Sequence, residues 1–246
     1  MIKHPKYPNG NIYLSGGMQF AENEGAGWRQ YVSVWLKELG YFPLDICALD
    51  AAYADKYGHF LRDASNKPED YLQRKSNIRK HFIETDLQLV VNDSDALIVL
   101  YDESVRLGAG TISECQIAYS NDVPVFVVSV WEDWEKEVPG WLQALSTKIF
   151  TSFDDLHAYM KDLPPGIIKR DAYGNHHSGN YYLCSLSGEV FEKNDMHFVS
   201  KVSPLYSKDS VKIVRETHEE NVNRYEFILQ HLENEAKMEM LEEFES

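Results

Sequence analysis

Two short stretches of the chain, "ALIVLY" at 96–101 and "VPVFVVSV" at 123–130, are apolar almost without interruption. A strand with one wet face alternates apolar and polar residues. A strand apolar at nearly every position must be covered on both faces, which is the condition of strands in a parallel sheet sandwiched by helices. The residues between the two stretches read as a short helix, 111–121, so the pair forms a strand–helix–strand unit. The same alternation extends through the first two thirds of the chain. "NIYLS" (11–15) is a β-rich run closed by Gly16-Gly17, and "GWRQYVSVWLKELG" (27–40) spaces Trp28, Tyr31, Val32, Trp35, Leu36 and Leu39 on one helical face. "YFPLD" (41–45) is a second strand whose Pro43 suits a sheet edge. Residues 46–68 read as an irregular polar loop with some helical turns, and 68–95 as mostly helix. "KIFTS" (148–152) is a fifth strand and 153–163 a closing helix. The prediction is therefore an α/β, doubly wound, Rossmann-like domain with a five-stranded parallel sheet over 1–163.

Pro164-Pro165-Gly166 and the Gly-, Asn- and His-rich residues after it mark a boundary. Beyond it, 164–246 is predicted to be an α+β appendage. It holds a hairpin over 181–195, turning at Ser187-Gly188, and a tail helix over 216–240. From Glu216 to Ser246 the chain carries ten Glu against Arg224 and Lys237, and the helix steps Val222, Tyr225, Leu229, Leu232, Ala236 and Met240 by threes and fours. That stripe favours a contact between subunits.

The formal charge of −15 repels phosphate backbones and anionic lipid surfaces, so neither a nucleic-acid polymer nor a membrane is expected as a partner. Cys47, Cys115 and Cys184 are odd in number and fit neither a disulfide framework nor zinc spacing. With no signal-peptide pattern and no apolar run long enough to span a bilayer, the expectation is a cytoplasmic protein. Neither G-x-G-x-x-G after the first strand nor G-x-x-x-x-G-K-[ST] occurs, and His176-His177 read as part of a flexible polar linker rather than a metal site. No cofactor is called for.

In a doubly wound sheet, ligands bind beyond the carboxyl ends of the strands where strand order reverses. "SGGM" after the first strand and "YDESVRLGAGTISE" after the third should meet there. Within the second, Thr111-Ile112-Ser113-Glu114 has the form of a capping box, in which the Thr hydroxyl bonds the Glu amide and the Glu carboxylate reaches back. That reading needs no function. Position offers another: Gly108, Ala109 and Gly110 let a ligand approach the backbone, and Glu114, kept ionised by the helix dipole, is placed to attack an electrophilic sugar carbon.

Over 11–130 the chain resembles the nucleoside 2-deoxyribosyltransferase family. The resemblance lies in Ile12-Tyr13-Leu14-Ser15-Gly16, in Pro43-Leu44-Asp45, in Thr85-Asp86-Leu87 followed by Ser94-Asp95 and "ALIVLY", and in Gly110-Thr111 through Glu114 followed by Ala118-Tyr119 and "DVPVFVV". It implies cleavage or transfer at the N-glycosidic bond of a 2′-deoxynucleoside or its 5′-monophosphate, with no cofactor, in a homo-oligomer. Glu114 would be the nucleophile, Tyr13 would orient it, Asp86 would contact and protonate the base, and Asp45 would help receive the base. The family's Asp six residues before the Glu is Gly108 here. Related hydrolases of deoxynucleoside 5′-monophosphates carry a small residue there and bind phosphate beside a glycine-rich turn. Arg106 and Ser104, with amides of Ser15-Gly16-Gly17, are candidates for that phosphate; Asp102 or Glu103 are candidates to replace the missing Asp. A non-catalytic nucleotide sensor with the same pocket, and an assembly protein in which Glu114 only caps its helix, are the alternatives. Asp95 reads as a structural turn acid, and Cys115 as a small buried apolar residue.

Overall fold

The computed structural model describes residues 6–57, 71–171, 174–198, 205–207 and 230. Five parallel strands form the central sheet: β1 (Gly10–Gly16), β2 (Tyr41–Leu44), β3 (Ala96–Tyr101), β4 (Val125–Ser129) and β5 (Lys148–Phe150). Their order is β2-β1-β3-β4-β5, so the chain reverses its direction of travel across the sheet between β1 and β3. This is a doubly wound sheet, and the Pro-bearing β2 lies at its edge as expected.

The apolar runs are buried because successive side chains point to opposite faces and both faces are covered. Ile12, Leu14, Ile98, Phe126 and Val128 face a core closed by helix α1 (Ala26–Glu38) and by Leu156 and Met160 of the last helix before the C-terminal segment. Tyr13, Leu97, Val99, Val125 and Val127 face the opposite core, closed by Val90, Cys115, Ala118 and Leu142.

Between β2 and β3 the chain differs from its sequence reading. Helix α2 (Ile46–Tyr57) stands where a loop was expected. Its apolar residues are spread around the axis rather than along one stripe, so periodicity misses it. Its four alanines favour the helix intrinsically, and the Asp45 carboxylate receives the amides of Cys47 (3.0 Å) and Ala48 (3.4 Å) at its start. After it come α3 (Tyr71–Ile78), a π-helical turn (Arg79–Ile83), α4 (Glu84–Gln88) and a second π-helical turn (Leu89–Asp93). Two π-helical turns flanking one short helix are unusual, and such turns recur at functional sites. Beyond β3 lie α5 (Glu103–Arg106), α6 (Gly110–Ser120), α7 (Trp134–Glu137), α8 (Gly140–Leu145) and α9 (Phe153–Asp162).

Past residue 163 the chain stays on the sheet. Ile167, Ile168 and Leu183 are buried in the same core as Leu36 and Phe126. Asp95 ties the region together: its carboxylate accepts the amides of Asn11 (2.8 Å) and Arg170 (2.9 Å), consistent with a structural acid. His176 corrects the linker reading. It is buried and its Nδ1 lies 2.6 Å from the carbonyl of Ile168, because the chain here forms the edge of a small antiparallel sheet. That sheet comprises β6 (His177–Ser178), β7 (Tyr181–Leu183) and β8 (Val190–Glu192), with the β7–β8 hairpin turning through Gly188 at φ +68°. A second pair joins β9 (Met196–Phe198) and β10 (Leu205–Ser207). The acidic helix expected over 216–240 lies outside the described residues apart from Gln230. Among the described residues, no helix is long and apolar enough to cross a membrane.

Candidate active site

Beyond the carboxyl ends of β1 and β3 lies a cavity of about 530 Å³. Met18, Phe20, Ile78, Phe82, Ile83, Leu87, Val105 and Ile117 give it apolar walls, and Gly16, Gly17, Gly108 and Gly110 line it with backbone. Its two ionisable groups among the described residues are Glu114 and Asp86. A largely apolar cavity with a few convergent polar groups is the usual form of a small-molecule site.

Glu114 is not a cap. Helix α6 begins at Gly110 behind Ala109, which makes no side-chain cap bond. Glu114 therefore sits beyond the first turn, and its carboxylate points to β1 instead of folding back on Thr111. Residues 13 and 15 of β1 share a face of the sheet, the face on which α6 packs. As a result the Tyr13 hydroxyl donates to Oε1 of Glu114 at 3.0 Å, and the Ser15 hydroxyl donates to Oε2. Two donors, one on each oxygen, fix the plane and direction of the carboxylate.

The expectation that the helix dipole keeps Glu114 ionised meets a different balance, and the net direction of its pKa is upward. Burial raises its pKa, while the hydroxyls of Ser15 and Tyr13 and the charge of Arg29 act against that rise. Tyr13 stays a phenol: its own burial, then the charge of Glu114, hold its pKa well above the ordinary value. Asp86, on α4 between the two π-helical turns, lacks such donors. Its Oδ1 is buried without a hydrogen-bond partner. Burial first, then the charges of Glu114 and Asp50, push its pKa up to about 8, against a smaller lowering by Arg29. The pair thus divides its roles by environment. Burial raises both carboxyls, but only Glu114 has hydroxyl donors acting against the rise, so its site is the better suited to a charge and that of Asp86 to a proton.

Gly17 belongs here for steric reasons. A Cβ at that position would lie 1.9 Å from the Ser104 hydroxyl and 2.7 Å from its Cβ. The turn after β1 therefore packs backbone to side chain on the start of α5. Ser104 itself donates its hydroxyl to Asp102, whose carboxylate caps α5 through the amides of Ser104 and Val105.

Other residues singled out in the sequence lie elsewhere. Arg106 does not line the cavity: it bonds the carboxylate of Glu137 at 2.7 Å and that residue's carbonyl at 3.0 Å, and stacks 3.9 Å over the Trp131 ring. Glu103 pairs with Arg106, and Asp102 is the cap just described; neither lines the cavity. Asp45 is the cap of α2 and is not part of the cavity wall. Conversely, Arg29 was missed. It is 1% exposed and its charge acts on Tyr13, Asp86 and Glu114 alike. An Arg on the apolar side of a helix, between Trp28 and Val32, was the available signal. Among the described residues no group of three His, Cys, Asp or Glu side chains is arranged to hold a metal ion.

A scan against protein-family models finds no match, and a search of curated proteins finds none either. Among solved structures, a chain from the psychrotolerant bacterium Bacillus psychrosaccharolyticus, described as a 2-deoxyribosyltransferase, is similar. It is 14% identical, covering 63% of this chain and 92% of that chain, with a TM-score of 0.42. What the site does rests on its own side chains.

Proposed function

We propose that the protein cleaves or transfers at the N-glycosidic bond of a 2′-deoxynucleoside or its 5′-monophosphate through a covalent glycosyl ester on Glu114. One observation carries the reading: a carboxylate gripped on both oxygens by Tyr13 and Ser15 stands in one apolar cavity with a second carboxyl, Asp86, whose environment keeps its proton at neutral pH. Paired carboxyls in unlike environments, one with donors for a charge and one suited to hold a proton, are what displacement at an anomeric carbon requires.

In this mechanism a Glu114 oxygen attacks C1′ as the C1′–N bond breaks through an oxocarbenium-like transition state. The Asp86 proton passes to the departing base, so the base leaves neutral and Asp86 becomes a carboxylate. A second base, or water, then attacks C1′ of the ester. Asp86 takes the proton from that nucleophile, and Glu114 departs as a carboxylate. A 2′-deoxysugar suits the scheme because it lacks the electron-withdrawing hydroxyl that opposes positive charge at C1′. The nucleoside and its 5′-monophosphate both stay open: Ser104, Gly16 and Gly17, candidates for a phosphate, line the cavity, whereas Arg106 does not. Among the described residues the cavity wall carries no Lys or Arg, and Arg106 is engaged with Glu137 and Trp131.

The test is incubation with each deoxynucleoside and its 5′-monophosphate, with and without an acceptor base, following free and exchanged base by chromatography. Intact-mass measurement after rapid acid quench should find one deoxyribosyl adduct, mapped to Glu114. Saturable binding with no base release, or turnover in a Glu114→Gln variant equal to wild type, overturns the reading.

A further inference from the structure

Strand β1 outlasts its neighbour on one side. β2 pairs with β1 only as far as Leu44 opposite Tyr13, whereas β3 continues to pair through Gly16. The carbonyl of Asn11 accepts the amide of Asp95 and so faces β3; by the two-residue period the carbonyls of Leu14 and Gly16 face the opposite side, where β2 has ended. Left unpaired in the interior, such carbonyls are costly. The guanidinium of Arg29 takes the place of the missing strand. Its Nε donates to Leu14 at 3.2 Å and its Nη2 to Gly16 at 2.9 Å. Its Nη1 reaches the carbonyls of Glu24 (3.2 Å) and Gly25 (3.1 Å) in a left-handed turn, where Asn23, Glu24 and Gly25 all have positive φ. All these bonds end on carbonyls, so this buried cation has no carboxylate bonded to it among the described residues.

We propose that Arg29 is a positioning residue for the proposed reaction: by clamping the carbonyls on either side of Ser15 it fixes the hydroxyl that holds Glu114, and it supplies the positive charge that balances that carboxylate. The inference rests on the proposed glycosyl chemistry for its kinetic consequence, but its structural half stands on the strand edge alone. Among the described residues, the charged and titratable groups around the carboxyl pair are Tyr13 on β1, Arg29 on α1, Asp50 on α2 and Cys115 beside Glu114 on α6. Among these described groups Arg29 is the cation, and it lowers the pKa of both carboxyls. Removing it raises both.

The experiment compares Arg29→Met and Arg29→Lys with the wild type in the full chain. Each is checked for cooperative unfolding before assay. Losing the fork that seats Ser15 should reduce kcat about 100-fold in both variants, the scale of a small misplacement of a reacting group, with KM changed much less. In Arg29→Met both limbs of the pH–rate profile should also move to higher pH; in Arg29→Lys, which keeps the charge, they should stay. Carbon-13 titration of the Asp86 carboxyl reads the charge effect without turnover, rising in the Met variant and not in the Lys variant. If no nucleoside or 5′-monophosphate is turned over, the proposed function fails while this titration still judges Arg29. Folded variants with wild-type kcat, or an Asp86 titration unmoved by loss of the charge, overturn the proposal.

Discussion

Replacing Asp86 with Asn should move stability and activity in opposite directions. The Asp86 carboxyl is pushed from 3.8 to about 8, chiefly by burial. An acid whose pKa is raised in the folded state takes up a proton on folding. Its contribution therefore favours the native state most below the ordinary carboxylate range and is lost as pH climbs from about 4 to about 8. Each pH unit of that window is worth ~1.4 kcal/mol, so at pH 7 the native state forgoes at most about 4 kcal/mol through this group. Partial contact with solvent and coupling to Glu114 reduce the figure to on the order of 2 kcal/mol. Asn has the same shape and no charge to desolvate. In urea unfolding, Asp86→Asn should match wild type near pH 4 and exceed it by about 2 kcal/mol at pH 7. Base release at pH 7 should fall about 10²–10⁴-fold, the worth of a positioned general acid, and the alkaline limb near pH 8 should vanish. A deoxyriboside with a p-nitrophenolate leaving group, which needs no proton to depart, should lose far less. A stability difference that is flat with pH, or an alkaline limb that persists in the variant, refutes the assignment.

Glu114→Gln keeps the Tyr13 and Ser15 contacts within reach but lacks a nucleophile, so turnover should disappear while urea unfolding stays within about 1 kcal/mol of wild type. Ser15→Ala leaves Glu114 with one hydroxyl instead of two; the acid limb of the pH–rate profile should rise, because that hydroxyl holds the Glu114 pKa down. Asp95→Ala strands the amides of Asn11 and Arg170 and should cost about 3 kcal/mol in denaturant unfolding without moving either pH limb. Below the ordinary histidine range His176 opposes folding: burial lowers its pKa to about 4, so the stability its neutral form retains above pH 6.5 is lost as pH falls toward 4. His176→Gln should flatten that part of the acid-unfolding curve.

The strands of the central sheet were legible because burial on both faces leaves a signature in the chain itself. "ALIVLY" and "VPVFVVSV" admit few other readings, and Pro43 placed β2 at an edge before any pairing was known. Helix α2 was not legible, because its cause is alanine propensity plus the Asp45 cap rather than an apolar stripe. The capping box at Thr111 misled for a related reason. A four-residue pattern cannot say where a helix starts, and α6 starts early enough to aim Glu114 at another element.

What the sequence by itself determined was the strands of the central sheet and the presence of Glu114 soon after β3, since periodicity and turn chemistry are local. Only the tertiary structure decided which groups meet. Arg106 lies eight residues from Glu114 in the chain, yet it is committed to Glu137 and Trp131. Arg29 lies eighty-five residues from Glu114, yet it fills the edge of β1 where β2 stops. The protonation of Asp86 has the same origin. A charge is made stable or costly by the burial and donors that distant residues impose on it, and those become known only when the chain has folded.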